Sequence, residues 1–136
     1  MGARRKAREH ALKVLYAREV GGVPHEEALA RYFEDFEPQA EGREFAETLV
    51  RGTMERLSEI DAAIQEVSAH WRISRMAAVD RNILRMATFE LRFLKDAPKR
   101  VVLNEAIEIA RHYGAEDSWA FINGILDKLA EDIEDG

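Results

Sequence analysis

The hydrophobic residues of this chain recur every three or four positions almost from end to end, and that period decides the fold class. Ala7, Ala11, Val14 and Leu15 make one stripe. Phe45, Leu49, Leu57, Ile60, Ile64 and Val67 make a second. Met76, Val79, Ile83, Met86 and Leu91 make a third, widened by Leu84, Ala87 and Leu94. Residues three and four apart share one face of an α-helix, whereas a half-buried strand alternates every second residue. No strand pair with alternating polarity occurs, nor any repeat of fixed length or low-complexity segment. The expected fold is all-α, a helical bundle of about six or seven helices joined by short connections.

Local signals divide the chain. Gly21, Gly22 and Pro24 break the first helix. A short helix follows over roughly residues 25–34, starting near Pro24. Asp35 to Gly42, with Pro38 inside, reads as a loop, and the second stripe then predicts one long helix reaching Val67. Trp71 and Ile73 fall in a connection, and Ser74 is a good N-cap for the helix carrying the third stripe. Asp96, Ala97 and Pro98 end that helix. Val101, Val102 and Leu103 favour strand locally, but Leu103, Ala106, Ile107 and Ala110 keep the helical spacing as far as a stop at Gly114. Asp117 and Ser118 offer caps for a last helix with the stripe Phe121, Ile125, Leu129 and Ile133, which overrides the turn signal of Asn123-Gly124.

The formal net charge of -6 argues weakly against nucleic-acid binding, but the charge is unevenly spread. Residues 1–20 carry six basic groups against two acidic ones, whereas residues 21–48 and 116–136 are strongly acidic. Such a basic head attracts polyanions locally, because the Debye length at physiological salt is about 8 Å. Arg4, Arg5, Lys6 and Arg8 cluster on a first helical turn. The arginine fork matches phosphate oxygens, and counterion release drives such binding. A solvated terminus is the other reading of the same run, and composition does not choose between them.

Other chemistry finds little support. The chain has no cysteine, which excludes disulfides, thiolate metal sites and cysteine nucleophiles. His10, His25, His70 and His112 are far apart, and no HExxH or Glu-x-x-His pair occurs, so no metal is expected. There is no GxSxG and no glycine-rich phosphate loop. No cofactor is implied, and an enzyme is not expected. No apolar run approaches a membrane span, and the basic N-terminus lacks the apolar core of a signal peptide, so a cytoplasmic protein without membrane contact is expected. Asn104, Glu105, Asn123 and Glu90 lie on or beside apolar faces, as structural pairs or as ligand contacts. Trp119 lies off the last stripe and could stack on a base, anchor a partner or cover a helix end.

Three segments, RRKAREHALKVLYA, DRNILRMATFEL and NEAIEIARHYGAEDSWAFINGILDKLA, in that order, resemble the NusB family of transcription antitermination factors. The resemblance spans essentially the whole chain except residues 21–45. It implies one RNA-binding domain over residues 1–136, built of two packed helical subdomains, an N-terminal half of about residues 1–70 and a C-terminal half of about residues 71–136. It implies binding to the boxA element of nascent RNA together with the ribosomal protein NusE. It further implies assembly with other Nus factors on RNA polymerase, notably at rRNA operons, with a homodimer also possible. Residue by residue, the family's arginine-rich arm falls on Arg4, Arg5, Lys6 and Arg8, and its first-helix tyrosine on Tyr16. Asp117 matches an acidic position associated with RNA affinity, and Phe121 an aromatic near that surface. Asp80 and Arg85 match polar positions on the central helix. Trp119 departs from the family pattern.

Two other classes stay open at this point. One is a protein-docking module that does not touch RNA. The other is an RNA-modifying enzyme, since NusB-like domains also precede some rRNA cytosine methyltransferases. With 136 residues and no cysteine, this chain is not expected to carry that chemistry.

Overall fold

Most of the helical spacing in the sequence becomes helix. The structure is a computed structural model describing residues 2–36 and 38–133, without the side chain of Phe36. Glu37, inside the stretch expected as a loop, lies outside the described residues. Seven α-helices and no strand occur among the described residues. They form two compact units, one ending at Glu55 and one starting at Arg56. The sequence reading puts the boundary between its two halves later, near residue 70.

The first unit contains α1 (Ala3–Gly21), α2 (His25–Ala30) and α3 (Arg43–Glu55). α2 runs on through a wider π-helical turn, Arg31–Phe36. The expected stripe of α1 is its core, with Ala7, Ala11, Val14 and Leu15 fully buried beside Leu29, Phe33, Ala46, Leu49 and Val50. α1 ends at Gly22, whose φ of 68° is left-handed and whose N–H donates to the Arg18 carbonyl. Glycine adopts that conformation without a Cβ penalty. Arg51 Nε and Nη2 donate to the two carboxylate oxygens of Glu26 at 2.8 and 2.9 Å, tying α3 to α2. That hydrogen-bonded pairing holds the Glu26 carboxyl below its ordinary value.

The second unit contains α4 (Leu57–Val67), a 3₁₀ turn (Ile73–Arg75), α5 (Ala78–Phe89), α6 (Lys99–Tyr113) and α7 (Ser118–Ala130). α5 continues into a π-helical turn, Glu90–Leu94, and Lys95 leaves it with a positive φ of 53°. Every residue from Asn82 to Leu91 is buried, because α4, α6 and α7 all pack on α5. A helix buried on all faces is the centre of its unit. Lys99, at the start of α6, donates from Nζ to the carbonyls of Ala130 and Ile133 at 3.3 and 2.7 Å. A cation there suits the carbonyl-rich C-terminal end of α7.

Three expectations change. The long helix expected from the second stripe is two helices, broken at Arg56 (φ -111°, ψ 19°). A one-residue break preserves the three- and four-residue spacing on both sides, so periodicity does not register it. Ser74 does not cap α5; it lies in the 3₁₀ turn, and Ala77 holds the N-cap position. Asp117 holds the N-cap position of α7 but makes no capping hydrogen bond with its side chain. The helix runs unbroken through Asn123-Gly124, and Val101–Leu103 are helical, as the spacing requires.

Gly42 is where α1 and the segment entering α3 meet most closely. Its φ is 78°, and a Cβ there would sit 2.5 Å from the Ala3 carbonyl oxygen and 2.8 Å from the Ala7 Cβ. Both the dihedral and the contact therefore require glycine. Gly42→Ala is expected to cost about 2 kcal/mol or more, since left-handed φ alone costs roughly 1–2 kcal/mol. Urea unfolding measures it, and an unchanged midpoint would show that this approach is not tight.

Candidate nucleic-acid interface

The basic run at the start of α1 lies on α3, and one aromatic ring organises it. The Arg4 guanidinium sits 4.1 Å from the centre of the Phe45 ring, and that of Arg8 sits 5.6 Å from it. Arginine is attracted to the face of such a ring. Phe45, the expected start of a core stripe, is half-buried and serves as this platform. Arg4 and Lys6 are exposed and Arg5 half-buried, whereas Arg8 is only 4% exposed. Lys6 Nζ lies 3.0 Å from Glu41 in an exposed ion pair. Such pairs contribute about 0–1 kcal/mol, so a phosphate can displace the carboxylate. Further along α1, Tyr16 is 41% exposed.

The remaining expected residues belong to the second unit. Arg85 is buried rather than on the surface. Its Nε and Nη2 donate to Asp61 Oδ1 and Oδ2 at 2.8 and 3.0 Å, and its Nη1 to Asn82 Oδ1 at 3.4 Å. In this arrangement the guanidinium joins α5 to α4. Asp80, in the first turn of α5, is half-buried and meets Ser118 at the start of α7. Burial pushes its carboxyl above the ordinary aspartate value; the hydrogen bond with Ser118 opposes this, and the negative charge of Asp117 adds to it.

Ser118 also orders the turn ahead of it. Its Oγ accepts the Ala115 N–H at 2.8 Å. A Cβ on Gly114 would sit 2.6 Å from the Ser118 side chain, so this turn closes only over a glycine. The turn leaves Asp117 exposed, with Phe121 half-buried one helical turn later. Phe121 meets Trp71 edge-on, with ring centres 5.8 Å apart. The sequence reading gave Trp71 no role; its signal was an aromatic beside Arg72, with no carboxylate over residues 68–79 of an otherwise acidic chain. Trp119 is partly exposed and covered by the Arg111 guanidinium, 4.5 Å from its ring. Asn104 is exposed, Glu105 and Asn123 are half-buried, and Glu90 is buried. No cluster of three potential metal ligands occurs among the described residues.

Exposed cations on α1 can take phosphates, while an ordered turn presents a carboxylate and an aromatic ring that can meet base edges and faces. Comparison with known proteins concerns the chain as a whole. The model of the NusB family matches residues 5–131. The chain is 52% identical to the transcription antitermination protein NusB of Geobacter sulfurreducens, over 99% of both chains. It is similar in structure to T. maritima NusB, with a TM-score of 0.80 and 38% identity, over 98% of this chain and 93% of that one. It is also similar to a chain from a crystal structure of the antitermination factors NusB and NusE in complex with double-stranded RNA. That match has a TM-score of 0.86 and 29% identity, over 96% of this chain and 97% of that one.

Two stability measurements check this geometry. Asp61→Ala strands a buried guanidinium and is expected to cost about 3 kcal/mol, read from denaturant unfolding. A loss below about 0.5 kcal/mol would mean that Arg85 finds water instead. The Asp80 carboxyl ionises less readily in the folded chain than in the unfolded one, so its charge detracts from stability at neutral pH. That penalty fades as the pH falls through the folded value towards the ordinary 3.8. Asp80→Asn is therefore expected to raise Tm at neutral pH, with the gain shrinking on acidification. A lower Tm at neutral pH would contradict this.

Proposed function

The chain belongs to the NusB family, and we propose that it is a transcription antitermination factor that binds boxA of nascent RNA together with the ribosomal protein NusE. It helps to assemble the antitermination complex with other Nus factors on RNA polymerase, notably at rRNA operons. The observation that carries this reading is the end-to-end likeness to an antitermination protein, at 52% identity over 99% of both chains. The protein works by binding, with no catalytic step or cofactor, and in the cytoplasm, where nascent RNA is made.

The proposed RNA contacts are Arg4, Arg5 and Lys6 on phosphates, with Tyr16, Asp80, Asp117 and Phe121 on the remaining RNA surface. Arg8 and Arg85 belong to the same set but act from beneath it, Arg8 by sharing the Phe45 ring with Arg4 and Arg85 by fixing α5. The net charge of -6 explains the need for a second protein. A few cations release few counterions, and a basic partner adds phosphate contacts that this chain lacks.

A protein-docking role is the second reading, favoured by Tyr16 and Val20 on the exposed face of α1, the latter 58% exposed. A second copy of the chain could cover them, and light scattering across a concentration series reads its presence.

Fluorescence anisotropy of a labelled boxA RNA tests the first reading, against a scrambled RNA, with and without NusE. Tighter binding to boxA, strengthened by NusE, is the expected result. Replacing Arg4, Arg5 and Lys6 together by Ala is expected to reduce the salt slope by roughly two, at about 0.7 per phosphate contact on a single strand. Equal, weak binding to both RNAs in every condition would favour the docking module instead.

A further inference from the structure

The connection between α4 and α5 carries charge and aromatic surface that the proposed contact set leaves out. Residues 68–79 hold His70, Arg72 and Arg75 and no carboxylate, within a chain of net charge -6. Trp71 stands among these residues at 59% exposure, the highest of any large hydrophobic residue among those described. Arg72, Arg75 and His70 are exposed beside it.

This exposed indole sits on an ordered backbone. The Trp71 carbonyl accepts hydrogen bonds from Gln65 Nε2 at 3.0 Å and Ser68 Oγ at 3.2 Å. The Ile73 N–H donates to Gln65 Oε1 at 2.9 Å, so one amide side chain clamps the connection through both its donor and its acceptor. From the α5 side, Arg81 Nη1 donates to the carbonyls of Ile73 and Met76 at 3.0 and 2.6 Å. The ring itself rests edge-on against Phe121. Leaving a tryptophan in water forgoes the stabilisation its burial would bring, and here the connection is held so that it stays there.

We propose that Trp71 is a base-stacking residue for single-stranded RNA, with Arg72 and Arg75 on the flanking phosphates and Phe121 supporting the indole. The inference rests on the reading of the chain as an RNA-binding factor and adds a surface to it. A flat exposed ring accepts any unstacked base, and the exposed arginines that follow it in the connection suit the anionic backbone. The absence of carboxylates over residues 68–79 matches a polyanion better than a protein surface of mixed charge.

The test uses single-stranded boxA RNA as the probe, read by anisotropy. Trp71→Ala is expected to weaken binding about tenfold while leaving the salt slope unchanged, because stacking releases no counterions. Trp71→Phe is expected to keep most of the affinity. Replacing Arg72 and Arg75 by Ala is expected to lower the salt slope. A second readout leaves Trp71 intact: in Trp119→Phe, Trp71 is the remaining tryptophan, and RNA is expected to quench its emission in step with the anisotropy change. Wild-type affinity in Trp71→Ala, or unquenched Trp71 emission with RNA bound, overturns this inference and leaves the family reading standing. Failure of the parent chain to bind boxA at all, with or without NusE, removes the family reading and this inference with it.

Discussion

An arginine cannot be buried in the centre of a helical unit without a counter-charge, and Arg85 meets that requirement through Asp61. The two-pronged contact, at 2.8 and 3.0 Å, joins α5 to α4 at a fixed register. Unpaired, a buried guanidinium costs several kcal/mol, so other placements of α4 on α5 are disfavoured. Asn82 and Thr88, also buried on α5, are satisfied within the helix. Asn82 donates to the Ala78 carbonyl at 2.9 Å, and Thr88 to the Leu84 carbonyl at 2.7 Å. With these groups bonded, α5 can be covered on every side. Its first turn then carries Asp80 to Ser118, and Ser118 holds the turn that presents Asp117 and Phe121. A charge pair between α4 and α5 thus leads, through helix packing, to the arrangement of the exposed groups.

The charged residues divide by what they face. Arg8, Arg81 and Arg85 are turned to ring faces, carbonyls and a carboxylate within their own units. Arg4, Lys6, Arg72 and Arg75 are exposed, Arg4 beside the Phe45 ring and Lys6 beside Glu41. The first group fixes geometry and the second is open to a polyanion. This division reconciles a net negative charge with RNA binding, since screening makes the local distribution of cations matter more than the total. It also explains why removing a single arginine can act through stability or through affinity, according to which group it belongs to.

The fold was largely legible because helical periodicity is local. The stripe of α1 and most of that of α5 read correctly, as did the stop at Gly114, whereas α6 buries Val102 and Ile109 beside Ala106 and Ala110 and leaves Leu103 and Ile107 half-buried. The break at Arg56 was not legible, because it leaves the spacing intact on both sides. Ser74 misled because a serine before an apolar run also suits a 3₁₀ turn. The site was less legible, and the reason is distance along the chain. Arg8 and Arg85 could be recognised as cations, but their burial depends on Phe45 and Asp61, and nothing local marks those partners. Trp71 escaped notice for the same reason, since its neighbour Phe121 lies on the last helix. Residue type was readable at these positions, whereas the division between structural and exposed arginines required the tertiary contacts.

The central claim is that RNA meets the solvent-facing cations and the turn before α7, while the charged centre of α5 only supports them. Amide chemical-shift mapping of the labelled protein, titrated with boxA RNA and separately with a scrambled RNA, tests it most directly. The account predicts that boxA shifts amides at residues 4–6 and 114–121, that scrambled RNA shifts them less, and that residues 82–91 stay nearly unmoved. Shifts concentrated in 82–91, or an equal response to both RNAs, would contradict it.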